Sequence, residues 1–146
     1  MCNIGSKSIV MDFDPQGKKV LKTMEKYYLA DHGIREAILE SNQRDIQLVL
    51  ENLVFLEMKR RGYEVRIGKV GAQEVDFVGT KGGEKLYIQV SYLLASPQTI
   101  EQEFGVFNEI HDNFPKFAVS MDELDFSRNG YHHWNIRDFL LGEPWT

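Results

Sequence analysis

An α/β fold with a mixed sheet is what this chain predicts, on three observations. One long helix is apolar around most of its circumference, three strands joined by tight turns follow it, and an amphipathic helix then leads into a further apolar strand. The 146 residues make one domain's worth of chain, enough to bury roughly 70% of the unfolded surface without disulfides. With 42% hydrophobic and 27% charged residues, the composition is globular and excludes disordered, collagenous and low-complexity classes.

Taken in order, Ser8 to Phe13 and Lys19 to Lys22 flank Asp14-Pro15-Gln16-Gly17, a turn sequence, and predict a small hairpin. Tyr27-Tyr28-Leu29 is a short extended run, after which Asp31 caps a brief helix from about Gly33 to Ile38. The strongest helix signal runs from Gln43 to Arg61, with Ser41 or Asn42 as cap, Lys59-Arg60-Arg61 in its last turn and Gly62 as its stop. Its apolar positions cover far more than one stripe, so it is expected to pack on several sides. The three basic residues read first as an offset to the helix dipole, worth about 0.3 to 1 kcal/mol per charge, rather than as a phosphate patch.

The period then switches to two. Tyr63 to Ile67, Glu74 to Val78 and Lys85 to Tyr92 predict an antiparallel meander, with Gly68 and Gly71, then Gly79 and Lys81-Gly82-Gly83-Glu84, in its connections. Pro97 starts an amphipathic helix to about His111, its apolar face being Ile100, Phe104, Phe107 and Ile110. Phe117 to Met121 suits a buried strand with a parallel partner, His132 to Ile136 another strand, and Arg137 to Leu141 a short final helix. Leu93, Leu94, Trp134 and Trp145 read as core or interface surface.

Charge and motifs narrow function. The 17 basic and 22 acidic residues give a net charge of −5, which disfavours generic binding to nucleic acid or anionic lipid. Residues 1–62 carry +1 and residues 63–146 carry −6, so any polyanion site is expected in the first part. One cysteine, Cys2, cannot form an internal disulfide. With no signal-peptide pattern at the start and no long apolar run, a cytoplasmic, membrane-free protein is expected. No GxxxxGK[ST], GxGxxG, GxSxG or HExxH occurs. His132 and His133 are strand neighbours facing opposite ways, so one is expected to pack and the other to be solvated.

The remaining chemistry-bearing residues are Glu51 on the long helix, Glu74 and Asp76 on the second meander strand, and Gln89 and Ser91 on the third. Glu51 falls in an apolar sector of the helical wheel between Phe55 and Met58, where an unpaired carboxylate is costly, so a partner is expected. Glu57, beside Ile46 and Leu50, stands in a similar sector. A helix acid, a middle-strand acid and a ligand two residues before a cation on the next strand form a divalent-metal site for phosphodiester cleavage. Together with the order of elements, this resembles the PD-(D/E)XK, restriction-endonuclease-like fold, which implies a three-layer core.

The match narrows through Tyr27 to Arg35, Leu50 to Val54, Leu56-Glu57, Arg60-Arg61-Gly62-Tyr63, Glu74-Val75-Asp76-Phe77 and Tyr87 to Tyr92. These segments are similar to the nuclease-like C-terminal domain of unknown function carried by a family of bacterial and archaeal AAA+ ATPases. The resemblance implies a hairpin over 1–26 like the tail of a preceding winged helix, and a nuclease-like domain over 27–146. It implies an N-terminal AAA+ module of the same parent chain as partner, and ATP binding only through that module. It also gives Glu51 the place of the helix acid, Asp76 that of the metal-binding aspartate, and Gln89-Val90-Ser91 that of (D/E)-X-K. Mg²⁺ or Mn²⁺, held by Asp76, Gln89 and the Val90 carbonyl, is the cofactor such a site would take. Gln89 removes one negative ligand and Ser91 cannot replace a lysine's charge, so the site reads as degenerate. A recognition or assembly module is therefore expected. The alternatives are an active divalent-metal-dependent DNA nuclease with a relocated lysine, Lys69 or Lys85, and a purely structural protein-binding domain.

Overall fold

The computed structural model describes residues 9–10, 24–25, 43–142 and 145. Strands β1 (Ile9–Val10) and β2 (Met24–Glu25) form an antiparallel pair. The hairpin therefore closes onto Met24–Glu25, while the expected return strand at Lys19 to Lys22, the extended run at Tyr27 and the short helix after Asp31 lie outside the described residues.

Helix α1 (Gln43–Arg60) is followed by β3 (Glu64–Val70), β4 (Gln73–Lys81) and β5 (Glu84–Val90), then by α2 (Pro97–Gly105), which tightens into a 3₁₀ turn (Val106–Glu109). Strands β6 (Lys116–Ser120) and β7 (His132–Asn135) and helix α3 (Ile136–Leu141) complete the order. The five strands β3 to β7 lie in sequence order in one mixed sheet: β3, β4 and β5 antiparallel, β5, β6 and β7 parallel. The parallel β5–β6 pairing follows from the α2 crossover, which carries the chain back across the sheet before β6 begins, and the segment between Ser120 and His132 returns it again for β7.

Helices cover both faces. On one, Leu50, Val54, Phe55 and Met58 of α1 and Phe139 of α3 pack on Ile67, Phe77, Ile88 and Val119. On the other, Phe104 and Phe107 pack on Val75, Val78 and Tyr87. Two glycines expected in connections lie inside strands, Gly68 in β3 and Gly79 in β4. At Gly79 the reason is close approach: a Cβ there would stand 2.6 Å from Met58 Cε, so the absence of a side chain lets α1 settle on the sheet. The β4–β5 turn is made by Gly82 and Gly83, both with positive φ, as a two-residue hairpin of this hand requires.

Period two breaks once in β4. Arg66 pairs with Val78 but Gly68 with Val75, so Asp76 and Phe77 together face Ile67, a β-bulge. Val75 and Val78 consequently share the α2 face while Phe77 turns to the α1 face.

Candidate functional site

The bulge sits where β4 and β5 part. Their backbone ladder runs from Lys81↔Glu84 to Phe77↔Ile88, and beyond it side chains take over. The Asp76 N–H donates to Gln89 Oε1 at 3.2 Å, and the Val90 N–H donates to Asp76 Oδ2 at 2.8 Å. Asp76, Gln89 and Val90 are thus brought together by hydrogen bonds. The other amide group of Gln89 reaches the carboxylate of Glu103 on α2.

Just past β5 the chain opens a cleft of about 560 Å³ between the N-terminal half of α1 and the start of α2. Glu51, Ser91 and Glu103 line it, with Leu48, Tyr92 and Leu93 among the walls. Its position outside the carboxyl end of a strand, beside a helix on each face, is where open α/β sheets commonly bind ligands. Glu51 is only 9% exposed, yet its carboxylate has no hydrogen-bond or ion-pair partner among the described residues; its one recorded interaction is charge repulsion with Glu103. The Glu103 carboxyl is held above the usual carboxylate range, chiefly by burial and further by the Glu51 charge, against the Gln89 hydrogen bond, which lowers it. Ser91 is buried, its N–H given to the Val119 carbonyl and its hydroxyl to the Leu93 carbonyl.

Glu103 is the residue that sequence reasoning passed over. The available signal is its place in the turn of α2 that carries the buried Phe104, where an acid is half-buried rather than solvated. Neither lysine named as a relocated cation enters the cleft. Lys85 lies four residues before Gln89, about 13 Å along the strand at ~3.3 Å per residue, facing Asp112 at 3.9 Å and the ring of Phe114. Lys69 stands opposite Glu74 in the β3–β4 ladder and is not among the lining side chains.

Glu57, 8% exposed, is gripped by Arg60 through two hydrogen bonds of 2.7 and 2.6 Å and by Arg61 Nε at 2.7 Å. Arg61 also donates to the carbonyls of Leu140 and Gly142 and lies 4.1 Å over the Trp145 ring. These two arginines therefore fasten α1 internally and to the C-terminal segment, a structural role beyond the dipole offset expected of the basic run. His132 is exposed and His133 buried. His133 Nδ1 accepts from the Phe126 N–H, which leaves Nε2 protonated toward Ser120 Oγ at 2.9 Å, and Ser120 hydrogen-bonds Asp122. Burial holds the His133 pKa below its ordinary value, against the charges of Asp122 and Asp125.

The molecule is thus a mixed α/β domain, a five-strand sheet flanked by helices, with an acidic cleft at the end of β5. Among the described residues no helix is long and apolar enough to cross a membrane, and no group of three or more His, Cys, Asp and Glu side chains is placed to hold a metal ion. No family model and no solved structure matches the chain. It is similar to an "Uncharacterized protein" of Haemophilus influenzae, 35% identical over 108 residues, which cover 74% of this chain and 26% of that protein. The chain spans about a quarter of the length of the relative it matches.

Proposed function

We propose that this chain is a restriction-endonuclease-like, PD-(D/E)XK-fold domain with a degenerate site, serving as a recognition or assembly module of a larger AAA+ ATPase. The order helix, antiparallel meander, helix and parallel strand supports the fold, and the share of the Haemophilus influenzae protein left uncovered is compatible with a multidomain parent. One observation carries the degenerate reading: Asp76 and Gln89 spend Oδ2 and Oε1 on joining β4 to β5, while a buried Ser91 stands at the lysine position.

The donor set is a poor match for Mg²⁺ or Mn²⁺. A hard cation is held best by several carboxylate oxygens; here Asp76 is the one carboxylate of the three, and its Oδ2 and Gln89 Oε1 each already accept a backbone N–H. Supercoiled and linear DNA incubated with the protein in Mn²⁺ should remain intact; metal-dependent cleavage abolished by Asp76→Asn would restore the active nuclease. The parent reading frame tests the other half, since a gene lacking a Walker A segment would remove the ATPase from this reading.

A further inference from the structure

Two carboxylates on different helices, Glu51 and Glu103, converge on one cleft, and no basic side chain among the described residues lines it. An acidic pair alone would be an accident of the surface. What distinguishes this one is that Glu51 is nine-tenths buried, unpartnered among the described residues, and part of the cleft wall. A carboxylate kept in that state is destabilising unless something fills its shell. In the first turn of α2 the Thr99 N–H is already given to Ser96 Oγ at 3.1 Å.

The size and walls of the cleft define the missing counter-charge. A bare or hydrated metal ion needs a compact shell of oxygens, whereas this space of about 560 Å³ is as large as a small-molecule site. Leu48 and Leu93, both large apolar side chains exposed to solvent, flank it, and Tyr92 adds an aromatic wall. Apolar walls and an aromatic ring around carboxylates suit a cation carried on a hydrocarbon stem, which buries its methylenes while its charged head reaches the acids.

We infer that the cleft between α1 and α2 is a binding site for an organic cation, a guanidinium or primary ammonium on an aliphatic stem, with Glu51 as its deep anchor and Glu103 as the second carboxylate. The site stands on the cleft itself and does not depend on the proposed ancestry of the fold. The same head group occurs on free diamines and on arginine or lysine side chains of a protein, so two probes separate the sources.

Agmatine and a capped Gly-Arg-Gly peptide are titrated into the full chain, with backbone amide shifts and calorimetry as readouts. Saturable shifts at Glu51, Ser91, Thr99 and Glu103 are expected, with affinity at least tenfold weaker in Glu51→Gln, whose near-identical shape preserves the fold, as a thermal melt verifies. Tighter binding of agmatine assigns a free metabolite, and tighter binding of the peptide a protein side chain. The inference is overturned if neither probe binds, if Glu51→Gln binds as well as the parent, or if Mn²⁺ alone binds with the same dependence on Glu51 and displaces both probes.

Discussion

Helix α1 carries two glutamates six residues apart that are buried to nearly the same degree, and the molecule treats them in opposite ways. Glu57 is held by two arginines that lower its pKa, the Arg60 hydrogen bonds first, and through Arg61 it is tied to the end of the chain. Among the described residues Glu51 meets only another acid. Equal burial therefore does not mean equal role: the paired carboxylate fastens the helix, and the unpaired one stores an unmet demand that a ligand can satisfy. One end of α1 is thus settled by ion pairs and, among the described residues, the other is not.

The largest effect should come from breaking the settled end. Arg61→Met keeps the stem but removes the donor to Glu57, Leu140 and Gly142, and urea unfolding should show a loss of about 2 to 4 kcal/mol. A loss below about 0.5 kcal/mol would mean that the pairing contributes no more than an exposed surface pair.

The opposite sign is expected at the other end. Glu51→Leu removes an unpaired buried charge and should raise stability by about 1 kcal/mol while abolishing binding of the cationic probes. Destabilisation by Glu51→Leu would show that the carboxylate is structural.

Acid titration sharpens the contrast. Because the Glu57 pKa is lowered, its contribution is full above the ordinary carboxylate range and is lost as pH falls through the folded value. Glu103, faced by Glu51 and Gln89, is raised, so its contribution is full below that range and is lost as pH rises through its folded value. Stability measured across acidic pH should therefore fall less on the acid side in Glu57→Gln, whereas Glu103→Gln should remove a loss that sets in as pH rises above the ordinary carboxylate range. A matching change in both variants would contradict the assignment.

The smallest effect belongs to Asp76→Asn. Its amide oxygen can still accept from the Val90 N–H, so a change within about 0.5 kcal/mol is expected, whereas Asp76→Ala leaves that amide without its acceptor and should cost about 1 to 2 kcal/mol. Equal losses in the two variants would show that the negative charge, not the acceptor, holds the strands.

Most elements were legible because their signals are local. The helix from Gln43, the three meander strands, the Pro97 helix and the parallel β6 all follow from periodicity and turn chemistry, and the structure moves their ends by only a few residues. What escaped depends on two elements at once. The bulge at Asp76-Phe77 is a mismatch between β3 and β4 that neither strand declares alone. Gly68 and Gly79 carry turn chemistry, yet each answers a neighbour's bulk, Val78 for one and Met58 for the other. A helical wheel places Glu51 and Glu57 in apolar sectors but assigns neither a partner, and the approach of Glu103 requires the α2 crossover. Of the cleft, Glu51 and Ser91 were named in advance and Glu103 was not.

The amide of Gln89 has a consequence for how this surface can change. It accepts from the Asp76 N–H with one end and donates to Glu103 with the other, so it is a coupler between a donor and an acid and its two ends cannot be exchanged. A carboxylate at position 89 would supply only acceptors and set a third negative charge against Glu51 and Glu103. Substitutions at 89 and 103 are thereby bound together: Gln89→Glu should be poorly tolerated alone and relieved by Glu103→Gln, whose amide can donate back. The two positions form a single chemical unit split between a strand and a helix.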